Sequence, residues 1–528
     1  MMIDTPEKIF AEYDKAVRYN TNIGLYDRVK QNELFYIGRQ WEGVNAPDLE
    51  KPTLNFIKRV ISYFIAMLVT DDIAVSFTPA HDTPETRQTA KILAQQVEQV
   101  LEAQQVRSLN RGMLRDCAVD GDAGYYFYMD MNAFGSGYAQ GGAAVESMDS
   151  TKVLFGNPYV REVQKQPWIL LVQRLQLEEV CRMAEQAGSS RENIRPDNES
   201  TYHDEQAEDD LVTVVTRLWK QDGTVRYIKA TRNALLKEAT DTGYTLYPVA
   251  WMNWERVRDS YHGQAAVTGL IPNQIFVNKT WAMAMEQVKQ MAFPKVIYDA
   301  SRIKRWTNRV GEAIGVAGGV NEAVATGYRA PDMSAQVLEL VEKTISYTRD
   351  FMGASDAALG NIRPDNTSAI IAVQKASAAP LELQRLDFYK MMEDTVRILV
   401  DIICTDYGAR MVTVSDDNGE TQELWVDFSA IDWQSMQLKI DIGTAAYWSE
   451  LTQIQTMDNL FGKGIIQDAV TYLEGIPDRY IKGKNKMIAK LKEQEQQMTG
   501  GAENGFMPQM QNSPAGRQMP QSAMPQLQ

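Results

Sequence analysis

The chain has 528 residues, 44% of them hydrophobic, which allows roughly two to four domains and a substantial buried core. Its 54 lysines and arginines face 69 aspartates and glutamates, a formal net charge of −15. That balance excludes a monomeric nucleic-acid binder working through a general basic excess, so any DNA contact must be local, weak or geometric.

The first ~80 residues read as helical. Thr5-Pro6-Glu7 opens a helix, with Thr5 as N-cap and proline in the first turn, and Ile9, Phe10, Tyr13, Val17, Leu25 and Val29 recur at helical spacing. Gly38 to Pro52 is a loop, and Leu54 to Val69 a second helix. Its apolar run, Val60 to Val69, falls short of the ~20 residues of a membrane span and reads as a core helix. Val75-Ser76-Phe77 is a short strand, and Thr86 to Ala118 reads as one long polar helix ending at Gly121-Asp122-Ala123-Gly124. Strands follow at Tyr125 to Met131, Val145 to Phe155 and Pro167 to Arg174, with a helix at Gln176 to Gln186. Arg191 to Asp210 is a polar loop. Leu211 to Trp219 and Val225 to Ala230 form a hairpin around Asp222-Gly223, a pair that tolerates the positive φ of a tight turn.

From Gln264 the pattern changes. Gln264 to Met291 is helical, with Pro272 early in it, and Pro294 to Tyr298 is a strand. Arg302 to Asp332 is a Gly-rich excursion, and Ser334 to Met352 a second long helix. Gly353 to Asn366 is a loop. Thr367 to Tyr407 reads as a helix on the order of 60 Å long, kinked at Pro380 because proline lacks the backbone donor and clashes with the preceding turn. Strands return at Met411 to Val414, Gln422 to Phe428 and Gln437 to Ile442. Helices are expected near Ser449 to Phe461, Gly464 to Leu473 and Asp478 to Glu495. Beyond Met498 the Gly, Gln, Met, Pro and Asn composition offers little to form a core, and the tail reads as disordered.

Motifs that would carry a reaction are missing from the sequence. No Gly-x-x-x-x-Gly-Lys-Ser/Thr phosphate loop or Gly-x-Ser-x-Gly elbow occurs. Cys117, Cys181 and Cys404 are widely spaced, which suits a reducing compartment better than a disulfide framework. The histidines His81, His203 and His262 have no partner at metal-ligand spacing. The acidic clusters at Asp71-Asp72, Asp120 to Asp122, and His203 to Glu205 beside Asp209-Asp210 read as solvated turns and helix ends. The start of the chain lacks the apolar stretch of a signal peptide, so the expectation is a soluble, intracellular protein without cofactor, metal or catalytic residues.

Several segments carry a family resemblance through their order along the chain. Gln40-Trp41-Glu42-Gly43 leads into Lys51-Pro52-Thr53-Leu54-Asn55. Asp259-Ser260-Tyr261-His262-Gly263 precedes Leu270-Ile271-Pro272-Asn273-Gln274, and Asn366-Thr367-Ser368-Ala369-Ile370 opens the long helix. With the sequence of elements, these make the chain resemble the portal proteins of tailed bacteriophages up to about residue 495. The resemblance implies an α+β, predominantly helical fold with wing, stem, clip and crown, assembled as a ring of about twelve subunits. On it, residues 1–261 are the N-terminal part of the wing, 262–293 the first stem helix, 294–333 the clip and 334–354 the second stem helix. Residues 355–366 are the tunnel loop, 367–443 the kinked helix and wing strands, 444–495 the crown and 496–528 the tail.

The resemblance further implies a conduit at one capsid vertex for packaging and ejecting double-stranded DNA. Its partners are the terminase large subunit, major capsid and scaffold proteins and a head–tail adaptor, with no membrane; the site is the virion, and the host cytoplasm during assembly. Leu359, Gly360, Asn361, Ile362 and Arg363 form the tip of the expected tunnel loop. Between Lys279 and Arg309 lies a basic island: Lys279, Lys289 and Lys295 in and beside the first stem helix, then Arg302, Lys304, Arg305 and Arg309 in the clip, against only Glu286 and Asp299. Repeated around a ring, such cations can meet DNA phosphates or an acidic partner. Trp281, Met283, Met285, Val288 and Met291 put bulk around much of the same helix, which calls for neighbours on more than one face. The competing readings are a metal-dependent hydrolase or nuclease built on the acidic clusters, and another head–tail assembly component. Ligand spacing argues against the first. Adaptors are shorter, and scaffolds less hydrophobic and more repetitive, which argues against the second.

Overall fold

The computed structural model describes residues 5–47, 49–69, 75–78, 83–134, 140–197, 210–292, 295–306, 314–318, 325–328, 335–352, 379–415, 421–434, 439–441 and parts of 454–492. Outside the described residues lie His81, most of the expected polar loop (198–209, with His203), Arg309, the expected tunnel loop 355–366 and the tail. The chain divides into two compact units, one of Met1–Val414 with Glu423–Gly443 and one of Ser415–Gln422 with Thr444–Gln528.

In the first unit, α1 (Pro6–Asn22) and α2 (Leu25–Ile37) flank Gly24, whose φ of 66° reverses the chain. Helix α3 (Phe56–Val69) buries Ile57, Val60, Ile61, Phe64 and Leu68, the core role expected of its apolar run. After β1 (Ser76–Thr78), the single helix expected over Thr86 to Ala118 is in fact two, α4 (Pro84–Ala103) and α5 (Val106–Asp120), broken where Gln105 adopts a φ of 50°. The cause is the placement of apolar residues. Leu93, Val97 and Val100 share one face of α4, whereas Val106, Met113, Leu114 and Cys117 would lie well round from it on an uninterrupted helix, yet all are buried. A break with a new roll lets both sets reach one core.

Strand β2 (Asp122–Phe134) pairs with β3 (Gln140–Asp149). The strand expected over Val145 to Phe155 is likewise two, because Asp149 turns the chain by accepting from Thr151 N at 2.9 Å. Strand β4 (Val153–Phe155) therefore joins a different sheet. That sheet continues with β5 (Ile169–Gln176), then, after α6 (Leu177–Gln186), with β6 (Leu211–Gln221), β7 (Thr224–Ala230) and β8 (Leu235–Asp241), all antiparallel in chain order. The β6–β7 turn is the one expected, with Asp222 at φ 56° and Gly223 at φ 90°. Strand β9 (Val249–Asn253) returns to pair with β2 in a β3-β2-β9 sheet.

Helix α7 (Ala266–Ala292), the antiparallel pair β10 (Lys295–Tyr298) and β11 (Ala325–Tyr328), and α8 (Ala335–Phe351) follow. Helix α9 (Glu382–Asp406) buries Phe388, Met392, Val396, Leu399, Ile402 and Ile403. Pro380 sits in the 3-10 turn Ala379–Leu381 just before α9; residues 353–378 lie outside those described. Strands β12 (Ala409–Ser415) and β13 (Thr421–Asp427) pair, and β14 (Lys439–Asp441) pairs antiparallel with β1, Ser76 opposite Asp441. The main core is shared by α3, α4, α5, β2, β9, the base of α7 and α9.

In the second unit, a helical segment over 456–462 precedes α10 (Ala469–Glu474). The helix expected from Gly464 starts later because Asp468 caps it, accepting from Val470 N and Thr471 N at 2.9 and 3.0 Å. Phe461 and Tyr472 pack with ring centroids 4.6 Å apart.

Candidate subunit and docking interface

Two helices and the short β pair between them carry most of the residues singled out in the sequence. Helices α7 and α8 pack together, with Val341 and Thr348 buried between them and Asn273 Nδ2 donating to Thr348 Oγ1 at 3.0 Å. Away from that seam α8 is apolar but uncovered. Leu340, Tyr347 and Phe351, spaced seven and four residues apart and so on one face, are 52%, 57% and 87% exposed. On α7, Phe276 and Met283 form a second uncovered stripe, and towards the tip Met285, Val288 and Met291 are exposed as well. Ile297 and Tyr298 of β10 extend the exposed apolar surface. Isolated apolar side chains on a surface are ordinary, but a row along two adjacent helices marks a contact face.

The cations of the basic island are not equivalent. Lys279 and Lys289 are exposed on α7, and Lys304 and Arg305 are exposed past β10. Lys295 is the first residue of β10. Arg302 is half-buried and engaged: its Nε donates to Ala317 O at 3.1 Å, and Ala317 N donates back to Arg302 O at 3.1 Å. It thereby holds residues 315–318 against the turn after β10. That turn is organised by Asp299, which accepts from Ser301 N at 2.9 Å. The hydrogen bonds from Ser301 hold the Asp299 carboxyl below the usual carboxylate range. Tyr298 and Trp306 stack, centroids 5.5 Å apart. Leu359, Gly360, Asn361, Ile362 and Arg363 lie outside the described residues, as does Arg309.

Sequence reasoning missed the anchoring of α7. Asp122, taken for an ordinary turn aspartate, is buried and accepts from His262 Nδ1 at 2.5 Å and from Gly263 N; His262 Nε2 lies 3.1 Å from Asn20 Oδ1. Asn253 Nδ2 donates to Tyr261 O at 2.7 Å. Backbones cross closely here, for a Cβ on Gly263 would stand 2.6 Å from Gly121 O. Farther along the helix a second network joins it to the loop 38–55. Asn278 Nδ2 donates to Gln40 Oε1 at 2.5 Å, and Gln274 Nε2 donates to Asn278 Oδ1 at 2.9 Å and to Leu54 O at 2.8 Å. Trp41 Nε1 donates to Pro52 O at 2.8 Å and closes the loop. The segments Gln40 to Gly43, Lys51 to Asn55 and Leu270 to Gln274 thus meet in one network, and Asp259 to Gly263 anchors the start of the same helix in another.

Among the described residues no group of three or more His, Cys, Asp or Glu side chains is arranged to hold a metal ion. The acidic corner near the end of α5 is electrostatically unusual all the same. Burial, and then the neighbouring Asp149 and Asp116, push the Asp120 carboxyl well above the usual range. Asp149 is held below that range, burial being outweighed by Lys152, whose Nζ is 2.8 Å away, and by the Thr151 hydrogen bonds. Among the described residues no helix is long and apolar enough to cross a membrane.

A family model described as Phage P22-like portal protein matches residues 159–528. The match takes in β5 to α10, including the Asp259 to Gly263 and Leu270 to Gln274 segments, and begins after the helices and loop of residues 5–69. No curated protein matches this sequence.

Proposed function

The chain belongs to the P22-like phage portal protein family, and from that membership we propose that its α7–α8 pair is the stem of a closed ring around a DNA channel. It is a portal protein, a structural component of the virion capsid that serves genome packaging and the head–tail connection. The family implies an oligomeric ring working with capsid and DNA at a capsid vertex.

In our reading the ring holds about twelve copies. Residues 1–261 and 367–443 form the wing, 262–293 and 334–354 the stem, 294–333 the clip and 444–495 the crown. The single observation that carries the reading is the uncovered apolar surface of α7 and α8. One subunit leaves Leu340, Tyr347, Phe351, Phe276 and Met283 in water, and a ring gives each copy a neighbour that covers them. Double-stranded DNA passes through the channel. Lys304 and Arg305 of the clip steer the terminase large subunit and later the head–tail adaptor, as exposed rim charges do. In our reading residues 355–366, which lie outside the described residues, are the tunnel loop at the narrowest part of the channel.

Native mass spectrometry and class averages of the purified full chain test this reading. Closed rings with a channel about 20 Å or more across, the width a duplex needs, are expected. A chain that stays monomeric at all concentrations and salts would overturn it. Within rings, Asn361→Cys should cross-link to a neighbour or to DNA in the lumen; labelling only by reagents confined to the outer surface would remove the tunnel-loop assignment.

A further inference from the structure

The amide network between α7 and the loop 38–55 is an odd way to hold a helix. Gln274, Asn278 and Gln40 are 0%, 4% and 8% exposed. Gln274 Oε1 is buried without a hydrogen-bond partner among the described residues, and an unsatisfied buried amide oxygen costs stability. Leucines at these positions would hold α7 to the loop at least as firmly. They would also tolerate small slides and rotations that amides do not, because hydrogen bonds fail within a few tenths of an ångström and apolar contacts do not.

The geometry gives that intolerance a use. On a helix of 3.6 residues per turn, Phe276 lies two residues from both Gln274 and Asn278, so it leaves α7 on the opposite side, and Met283 lies one further pair of turns along the same stripe. Whatever fixes the roll of the buried amide face therefore fixes the direction of the uncovered apolar face. A ring of about twelve turns by about 30° per subunit, and one copy more or fewer alters that by only about 2–3°. We propose that Gln40, Gln274 and Asn278 are positioning residues that set the roll of α7 against the N-terminal loop and, through it, the number of subunits at which the ring closes. Buried polar side chains that select one register at some cost in stability are known from helical assemblies. The second half of the proposal rests on the ring reading above; the first half does not.

The experiment compares the full-length protein with the double variant Gln274→Leu, Asn278→Leu. Spin labels are placed at Lys30→Cys on α2 and Lys289→Cys on α7, both exposed positions and the latter off the stripe of Phe276 and Met283, in rings diluted with unlabelled subunits. One narrow label-to-label distance is expected in the parent. The double variant should melt within about 3 °C of the parent yet show a broadened or shifted distance, and its native mass spectrum should show two or more subunit numbers where the parent shows one. Thr280→Val is the control, since Thr280 Oγ1 donates at 2.8 Å to Phe276 O of its own helix; it should change neither readout. An unchanged distance in the double variant overturns the positioning role. A changed distance with an unchanged subunit number overturns the link to ring closure. A parent that forms no rings removes the ring reading, and the distance measurement still decides the positioning. If the double variant does not fold, Gln274→Met and, from the other side of the network, Gln40→Leu carry the same comparison.

Discussion

Along α7 the surroundings change near Ala284. On the N-terminal side Val267, Leu270, Gln274, Val277 and Ala282 are buried against α2, α3, α5 and the loop 38–55. On the C-terminal side Met285, Val288 and Met291 are as apolar as the residues before them and remain exposed. Hydrophobicity alone does not separate the two stretches. What separates them is the polar bonding beside the base: Asp122 to His262 and Gly263, Asn32 to Val119 O and Thr268, Gln40 to Asn278. The base is specified by its own subunit, and the tip is left uncovered by it.

The largest effect on subunit stability is expected at the base. Gly263→Ala places a Cβ 2.6 Å from Gly121 O and 2.9 Å from Glu255 O, both backbone atoms, and should cost about 3 kcal/mol or more in denaturant unfolding. A loss under 1 kcal/mol would mean that the junction is looser than the contrast requires. The acidic corner where α5 ends, beside the same junction, provides a smaller effect of opposite sign. The Asp120 carboxyl is raised by burial and then by Asp149 and Asp116, so its ionised form opposes folding. Its stability contribution is fully present at low pH and is lost as pH rises through the raised value. Asp120→Asn should therefore stabilise the protein by about 1–2 kcal/mol at pH 8, with the gain shrinking as pH falls towards 5. A gain independent of pH would remove the electrostatic explanation.

On the uncovered face, Leu340→Asp with Tyr347→Asp should shift subunit stability by less than about 0.5 kcal/mol while abolishing ring formation in native mass spectra. If unfolding instead became several kcal/mol easier, these side chains would be core residues of the subunit itself. The smallest effect belongs to the exposed cations past β10, in the proposed clip. Lys304→Ala with Arg305→Ala should leave melting and ring formation unchanged and reduce only the salt dependence of terminase binding. Unchanged salt dependence would leave the two cations as a solvated surface.

Much of the fold was legible where a local pattern decides the outcome. The Asp222-Gly223 turn, the core helix α3 and the α7 and α8 boundaries follow from turn chemistry and periodicity. The break at Gln105 was hidden because no glycine or proline marks it; only the change of apolar face between Val100 and Val106 gives it away. The split after Asp149 was signalled only by the turn-forming run Asp149-Ser150-Thr151 inside an otherwise strand-like stretch, and sheet membership is settled by distant partners. The anchor of α7 was least legible. Asp122 and His262 are 140 residues apart, and Gln274 and Asn278 carry side chains that usually signal a solvated face. A clue was present in Gln40-Trp41 and Asn273-Gln274, segments of the resemblance that carry no reaction motif and lie in one network.

The crossing of the chain at Gly121 and Gly263 also governs the order of events during synthesis. Helix α7 cannot be seated until residue 20 on α1, residue 122 at the start of β2 and residue 262 have come together, and closure of such widely separated contacts is the slow step of folding. The β1–β14 pairing adds a still later requirement, since Ser76 waits for Asp441. Every partner of the base named above, from residue 20 to residue 263, precedes Met285, Val288 and Met291 in the chain, so synthesis delivers the anchor before the exposed apolar tip that could otherwise associate wrongly. The roll of α7 is thus set by residues up to Asn278, ahead of the remaining part of the first unit, which runs to residue 443.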